Sequence, residues 1–374
     1  MKNERAHQVC TRCVMDTSAS DIVFDSDGVC NYCTEFLERS GHIVFKNPAV
    51  REHELTQFVE RVKADGRGKR YDCVIGVSGG VDSSWALVQA FKLGLRPLAV
   101  HMDNGWNSEL AQNNIANLVR GLGVDLYTHV IDWHEYKNLM QAFFEAHVID
   151  VELLYDNAML AVNYKMASSY KLHNILSGTN QATEGLRIPK TWNWLKYDKK
   201  NIKALSAKFT NQKIVTFPAI GTLDYIYYEY IKNIKWISFL DYFEYNKFDV
   251  LENLENNYSY KRYPYKHYES IFTRFYQGYI LPKKFNVDKR RPHLSVLIVS
   301  GQMSRDEALI QLESIPYPSN NELEEDIRYF LIKMGWSRQQ LDDYIEAVEI
   351  RHDHYKSEIK LWNFAVQSYK FLIR

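Results

Sequence analysis

A seven-residue segment, SGGVDSS at positions 78–84, has the side chains and the backbone freedom that a phosphate-binding loop needs. Glycine lets the backbone approach a ligand closely and adopt positive φ angles. Serine hydroxyls can donate hydrogen bonds, and a carboxylate such as Asp82 can hold Mg²⁺ on the phosphates. No Gly-Lys-Ser/Thr ending is present, so the segment is not a Walker A motif. The alternative is a structural turn capped by Asp and Ser.

The surroundings of this segment favour the phosphate loop. It follows an apolar, β-branched run and precedes a helical pattern, and a helix that begins there directs backbone N–H groups and its dipole at an anion. We expect Ser78 and Asp82 to act in catalysis. We expect the nucleotide to be bound by the whole loop, namely Ser78, Gly79, Gly80, Val81, Asp82, Ser83 and Ser84.

Four of the five cysteines form two CxxC pairs near the N-terminus, Cys10/Cys13 and Cys30/Cys33. Thiolates at this spacing can close a tetrahedron around one zinc ion. A segment of about 40 residues is too small to bury a self-sufficient core, so the metal would contribute folding energy. A redox pair or four unrelated buried thiols are the alternatives. Because four thiolates leave no open ligand position, we predict a structural zinc site.

The elements around these motifs alternate between strand and helix. Short apolar runs predict strands at 71–77, 96–104, 125–131 and 174–180. Helical spacing predicts helices at 48–65, 83–94 and 108–123 and over most of 135–172. Such alternation is typical of an α/β fold with a parallel sheet and helices on both faces. We predict a zinc ribbon over 1–45, the α/β domain over 46–225 and a mainly helical region for substrate and partner binding over 226–374.

The composition limits the classes of function. The 374 residues contain 46 Lys plus Arg and 46 Asp plus Glu, and this balance argues against a general nucleic-acid binder. The first residues contain no apolar signal segment, and no apolar run reaches the roughly 20 residues that span a bilayer. These features predict a cytoplasmic protein, in which disulfides are rare. Many of the 26 tyrosines fall between residues 225 and 279, where they could contact a ring-shaped ligand or be half-buried helix residues.

The SGGVDSS segment resembles the PP-loop of the ATP pyrophosphatase superfamily, which includes NAD synthetase, GMP synthetase and tRNA-modifying enzymes. The resemblance implies that ATP is cleaved to AMP and pyrophosphate. The substrate oxygen would attack the α-phosphorus, and a nucleophile would then displace AMP.

Two further segments are consistent with that superfamily. VHMDNGW at 100–106 ends a predicted strand, where Asp103 and Asn104 could contact the nucleotide or could simply form a turn. SGTNQATEG at 177–185 resembles a segment of NAD synthetase-like enzymes. That resemblance implies that Gly178, Thr179 and Glu184 lie near the phosphates and that Glu184 joins Asp82 at Mg²⁺. Either Arg187 or Lys190 would supply a catalytic cation, and we place Lys190 in that role.

CTRCVMDTS at the start of the chain and the stretch 266–309 together resemble the N-acetyl sugar amidotransferase family of surface-polysaccharide biosynthesis. The resemblance implies an ATP-dependent C–N ligase of lipopolysaccharide or O-antigen synthesis. It would convert an acetamido group on a nucleotide-linked sugar to an acetamidino group.

The basic stretch 261–293 contains nine Lys or Arg and two acidic residues. Such a stretch could bind a nucleotide diphosphate and a sugar carboxylate, or it could be a solvated helix face or an anchor for a partner. The substrate-binding candidates are His267, Arg274, Lys289, Arg290, Arg291 and His293.

The source of nitrogen can be predicted from the cysteines. With four on zinc only Cys73 remains, and it lies in an apolar strand where thiols are inert. Ammonia must therefore arrive free or from a separate glutaminase. The family resemblance implies partners similar to the glutaminase and cyclase subunits of imidazole glycerol phosphate synthase.

Two other functions remain open. Some tRNA-thiolating enzymes also join CxxC knuckles to a PP-loop, but they usually need catalytic cysteines or an iron–sulfur cluster, and this chain has no cysteine to spare. A nucleotide-binding scaffold for a glycan-assembly complex is the non-catalytic alternative.

Overall fold

The computed structural model describes residues 6–210, 212–264 and 268–373. The N-terminal cysteine segment has two isolated antiparallel bridges, Val9 with Asp16 and Phe24 with Cys30. Helix α1 (Asn31–Val44) begins directly after Cys30.

A five-stranded parallel sheet forms the centre of the molecule, in the order β3-β2-β1-β4-β5. The strands are β1 (Cys73–Gly76), β2 (Pro97–Asp103), β3 (Asp125–Val130), β4 (Asn174–Ser177) and β5 (Lys235–Ser238). The first four confirm the predicted strands. Strand β5 was not predicted from the sequence, because this four-residue edge strand is only half-buried and lacks an apolar run. The sheet therefore continues past residue 225, where the predicted helical region was to begin.

Helices cover both faces of the sheet, as predicted. They are α2 (Pro48–Asp65), α3 (Val81–Lys92), α4 (Glu109–Leu122), α5 (Trp133–Glu145), α6 (Leu153–Ser169), α7 (Gln181–Glu184), α8 (Lys199–Phe209) and α9 (Thr222–Ile226). Side chains alternate along each strand. Val74 and Val100 belong to the core that includes α6, whereas Ile75 and Ala99 belong to the core that includes α3.

The C-terminal region is helical after β5. Its helices are α10 (Lys247–Tyr258), α11 (Ile271–Phe275), α12 (Leu281–Phe285), α13 (Arg290–Val299), α14 (Arg305–Glu313), α15 (Asn320–Met334), α16 (Arg338–Glu346) and α17 (Ile359–Ile373). This region shares a core with the α/β domain, because the Trp106 ring lies 5.4 Å from Phe272 and 6.2 Å from Phe330. Among the described residues, no helix is both long enough and apolar enough to cross a membrane.

The cysteine segment is attached to the C-terminal helices by arginines. Arg305 donates to the carbonyls of Cys10 and Cys13 at 3.0 and 3.1 Å. Arg291 pairs with Asp16 at 3.0 Å and donates to the Val14 carbonyl. These contacts hold the cysteine segment against the C-terminal helices.

Candidate active site

The SGGVDSS loop connects β1 to α3 and is stabilised by its own hydroxyls. Ser83 Oγ accepts a hydrogen bond from Ser78 N at 3.2 Å and donates one to the Gly80 carbonyl at 3.2 Å. Gly79 has φ +84°, and a Cβ there would lie 2.8 Å from the Ala111 carbonyl oxygen. Position 79 therefore requires glycine, and α3 begins at the loop with its N-terminus available to an anion.

The loop after β4 packs directly on this first loop. A Cβ at Gly178 would lie 2.6 Å from both Asp82 C and Ser83 N, so only glycine permits the approach. Strands β1 and β4 are neighbours, and the strand order reverses between them. Ligands of open α/β sheets bind at the carboxyl ends of the strands at such a point.

A cavity of about 820 Å³ opens at this position. The end at which we predict the nucleotide is lined by most of the predicted loop residues, namely Ser78, Gly80, Val81, Asp82, Ser83, Gly178, Thr179 and Glu184. Its far end is lined by four predicted substrate residues, namely Arg274, Lys289, Arg290 and His293. One cavity therefore connects the phosphate loop with the basic stretch of the C-terminal region.

Tyr245, which was not singled out from the sequence, interacts with the two predicted Mg²⁺ ligands. Its buried hydroxyl donates a hydrogen bond to Asp82. Burial, followed by the charges of Asp82 and Glu184, raises the pKa of Tyr245 well above its usual value. Both carboxylates are thus near the same hydroxyl, and their oxygens are suited to a hard cation such as Mg²⁺.

Two further tyrosines hold the loop from the other side. The hydroxyls of Tyr260 and Tyr263 donate to the Gly79 carbonyl at 3.1 and 3.0 Å. Asn114 on α4 fixes this segment by bonding both the N–H and the carbonyl of Lys261. The high frequency of tyrosine in this part of the chain was the only signal of these contacts in the sequence.

The cations at the far end of the cavity already have carboxylate partners. Arg274 Nε lies 2.6 Å from Asp326, Lys289 Nζ lies 3.0 Å from Glu152, and Arg290 NH2 lies 2.8 Å from Asp288. Their charges are therefore largely compensated, which the count of basic residues in the sequence did not indicate.

Lys196 is a cavity residue that the sequence analysis missed. Its Nζ lies 2.7 Å from Asp150 and 2.8 Å from Asp156. Burial acts to lower the pKa of Lys196, but the two carboxylates outweigh burial and raise it. Burial also raises the pKa of Asp156, which lines the cavity.

The two candidate cations after β4 lie elsewhere. Arg187 pairs with Asp21 at 2.8 Å and with Glu35 at 2.7 Å, and so it joins the β4 loop to the cysteine segment. Lys190 is exposed and does not line the cavity. Both placements correct the prediction, which rested on the resemblance to NAD synthetase-like enzymes. Lys196, further along the chain, occupies the cavity.

The remaining predicted residues also lie outside the cavity lining. Asp103 accepts from the Gly105 N–H at 2.8 Å, and Asn104 accepts from the Trp106 N–H at 3.1 Å. They form the turn that was the open alternative. Arg291 is directed to the cysteine segment, which corrects its assignment to substrate. Gly79 and Ser84 belong to the loop but do not line the cavity, and His267 lies outside the described residues.

The four N-terminal cysteines form a buried cluster. The Sγ atoms of Cys13 and Cys30 are 3.7 Å apart, those of Cys30 and Cys33 are 3.7 Å apart, and those of Cys10 and Cys33 are 4.0 Å apart. A metal–sulfur distance of about 2.3 Å places the sulfurs of a tetrahedron about 3.8 Å apart. Cys10 Sγ also accepts three backbone N–H groups. The cluster therefore fits a tetrahedral cation.

Cys73 lies in β1 and is fully buried. Burial raises the pKa of the Cys73 thiol above its usual value, so the thiolate is disfavoured. This cysteine is not placed to act as a nucleophile.

Comparisons with known proteins match parts of the chain. Residues 269–368 match the family model described as LPS biosynthesis protein WbpG-like, C-terminal domain. Over 76 residues the chain is 37% identical to the glutamine-hydrolysing GMP synthase of Pyrobaculum aerophilum, which covers 20% of this chain and 15% of that relative. The matched segment is thus a small part of the GMP synthase.

Two solved structures show weak similarity. NMN synthetase from Francisella tularensis aligns with a TM-score of 0.30 and 13% identity over 51% of this chain and 98% of its own. The NH3-dependent NAD synthetase from Campylobacter jejuni aligns with a TM-score of 0.31 and 13% identity over 73% of this chain and 100% of its own.

The α/β domain and the C-terminal segment matched by the family model form one cavity together. The SGGVDSS loop lies at the strand reversal of the α/β domain, and the matched residues supply the far end of the same cavity. Residues 269–368 therefore match the C-terminal domain of WbpG-like LPS biosynthesis proteins, and they complete the cavity of the α/β domain.

Proposed function

We propose that the chain is an ATP-dependent amidotransferase that converts the N-acetyl group of a nucleotide-linked sugar to an acetamidino group in lipopolysaccharide or O-antigen synthesis. The observation that carries the proposal is the single cavity that joins the phosphate loop to the far end lined by residues of the WbpG-like domain. A substrate bound at the far end would present its amide to ATP bound at the loop.

The reaction balances as two displacements. The amide oxygen attacks the α-phosphorus of ATP, and pyrophosphate leaves into the loop around Ser78 and Gly80. Neutral ammonia then attacks the imidate carbon and loses a proton, and AMP leaves with the former amide oxygen. Mg²⁺ held by Asp82 and Glu184 would neutralise phosphate charge. Tyr245 orients the Asp82 carboxylate for this purpose.

The polar groups of the far end suit a sugar. Lys289 and Gln277 both bond Glu152, with Gln277 Nε2 at 3.0 Å, and Asp156 beside Lys196 adds a carboxylate. The aromatic rings of Tyr155, Tyr197 and Trp236 line the same cavity. Charged groups that are already paired can bind the hydroxyls of a sugar, and aromatic rings can pack on its pyranose face. Such a site needs no large excess of positive charge.

The nitrogen would be delivered as ammonia. The buried Cys73 is unsuited to glutamine hydrolysis, and the other four cysteines form the N-terminal cluster. A separate glutaminase with a cyclase-like subunit is the proposed source. Zinc in the cysteine cluster would have a structural role, since four sulfurs leave no open position.

The test is AMP formation by the purified chain with acetamido sugar nucleotides, Mg-ATP and ammonium, with product mass as a second readout. We expect AMP, pyrophosphate and a product one mass unit lighter than the sugar. Asp82→Ala should lower the rate about 100-fold or more, because it removes a metal-held contact to the reacting phosphates. AMP formation only with tRNA and a sulfur donor would instead favour a thiolating enzyme.

A further inference from the structure

Aromatic rings on one side of helix α17 (Ile359–Ile373) contact the rest of the molecule. Trp362 stacks on Tyr197 with ring centroids 5.3 Å apart and 17° between the ring planes, and it lies 5.4 Å from Tyr225. Further along, Tyr369 lies 5.8 Å from Tyr230. These rings attach α17 beside α9 and the turn that follows α9.

The opposite side of α17 presents large apolar side chains to solvent. Leu361, Phe364 and Phe371 follow one another at helical spacing and are 39%, 68% and 83% exposed. We call Leu361, Phe364 and Phe371 the apolar strip. Several large apolar side chains exposed together mark a surface that interacts with something.

The charges around the strip are predominantly positive. From residue 359 onward α17 contains Lys360 and Lys370 and no acidic residue, and Lys232 follows the turn whose Tyr230 contacts α17. Both lysines of α17 and Lys232 are exposed.

The acidic residues next to the strip are engaged in local contacts. Asp224 pairs with Lys199 at 3.2 Å, and Glu229 pairs with Lys235 at 3.2 Å. Glu358 accepts the backbone N–H groups of Lys200 and Thr222. The edge of the apolar strip is therefore cationic, and its partner should be anionic.

We propose that the apolar strip docks on the surface of a bilayer that contains anionic phospholipid. A helix with exposed Phe and Leu flanked by lysines is suited to lie flat at a lipid interface, where lysine contacts the headgroups. Lysine is depleted at protein–protein interfaces, which disfavours a protein partner. A second copy would place lysines of like charge against each other.

Docking of the strip would also position the cavity. Tyr197, on which Trp362 stacks, also lines the cavity wall. The strip is thus separated from the cavity by two stacked rings, and docking would hold the cavity beside the membrane. This inference does not depend on which substrate the cavity binds.

Co-sedimentation with vesicles tests the proposal. The full chain should sediment with vesicles of equal parts phosphatidylcholine and phosphatidylglycerol, and added salt should weaken the binding. It should not sediment with phosphatidylcholine alone. The double variant Phe364→Ser/Phe371→Ser should bind at least about tenfold more weakly, since two exposed apolar side chains are lost. Lys360→Glu/Lys370→Glu should abolish the preference for the anionic lipid.

The control is Ile332→Ser on α15, where an equally apolar side chain is 76% exposed. It should bind vesicles as the wild type does, and all variants should keep the wild-type melting temperature because the replaced side chains are exposed. No binding by the wild type, or equal binding of both vesicle types, would overturn the proposal. The proposal would also be overturned if the wild type were a dimer that dissociates in the variant Phe364→Ser/Phe371→Ser. That result would assign the strip to an interface with a second copy.

Discussion

The hydroxyl of Tyr245 donates a hydrogen bond to the carboxylate of Asp82, although the two residues are 163 positions apart in the chain. Asp82 belongs to the first turn of α3, and Tyr245 precedes α10. The contact therefore couples the phosphate loop to the start of the C-terminal region and fixes one oxygen of a carboxylate that lines the cavity.

Replacing Tyr245 should weaken the use of Mg²⁺. Tyr245→Phe keeps the ring but removes the hydrogen bond, so Asp82 is less well oriented. Losing a hydrogen bond to a charged group costs roughly 1.5 to 3 kcal/mol, which corresponds to at least about a tenfold change in an equilibrium constant. We expect the Mg²⁺ concentration for half-maximal AMP formation to rise by about that factor.

Tyr242→Phe is the matched control, because the Tyr242 ring stacks on Phe58 at 4.5 Å and is not bonded to Asp82. It should keep the wild-type Mg²⁺ dependence. An unchanged Mg²⁺ dependence in Tyr245→Phe would show that the tyrosine only fills space.

Gly178→Ala should disrupt the nucleotide end of the cavity. The added Cβ would lie 2.6 Å from the backbone of Asp82 and Ser83, and backbone atoms cannot move aside without displacing the loop. We expect AMP formation to fall by more than about tenfold, since misplacement by a fraction of an ångström is costly in a positioned site. Gly121→Ala on α4, where nothing lies within 4 Å of the new Cβ, should retain full activity. Equal activity of the two variants would refute the close contact.

Several of these features followed from the sequence, and others did not. Strands β1, β2 and β4 were predicted because each is a buried apolar run bounded by turns, and β3 was also predicted although most of its residues are exposed. The SGGVDSS loop was predicted because its residue types are specific. Tyr245, Tyr260 and Lys196 were missed, since their roles arise from contacts between distant segments that no local pattern records. Lys190 was assigned through the resemblance to NAD synthetase-like enzymes and Arg291 as part of the basic stretch, and only the packing shows that they face elsewhere.

The cysteine cluster should hold about one zinc ion per chain, and Cys13→Ser should release it. Losing one thiolate leaves three ligands, so the affinity and the folding energy supplied by the metal both fall. We expect a lower melting temperature together with zinc loss in elemental analysis. Cys73→Ala, which changes a cysteine outside the cluster, should keep its zinc. Iron and an iron–sulfur absorption band in place of zinc would contradict this assignment.

His352 should make the stability of the fold depend on pH. Its Nε2 accepts from the Asp150 N–H at 3.2 Å, which leaves Nδ1 to donate to Asn201 Oδ1 at 2.9 Å. Burial lowers the pKa of His352 to about 4. The unfolded chain, with a histidine pKa of about 6.5, therefore binds more protons between these two values.

The free energy of unfolding should consequently be fully retained above pH about 6.5 and fall by roughly 3 kcal/mol as the pH decreases toward 4. Denaturant titrations at several pH values measure this. His352→Gln should show a flatter pH dependence over the same window, even though its stability at neutral pH is lower. An identical slope in the two proteins would show that other groups cause the acid sensitivity.

The proposed reaction activates the amide oxygen of the sugar with ATP, and this oxygen leaves as part of AMP. It is tested most directly with an acetamido sugar nucleotide labelled with oxygen-18 in the acetyl carbonyl, incubated with Mg-ATP and ammonium. We predict that the label appears in AMP, that pyrophosphate is unlabelled and that nitrogen from labelled ammonium appears in the sugar. Glutamine alone should not replace ammonium. AMP without the oxygen label, or AMP formed at the same rate without the sugar, would contradict the account.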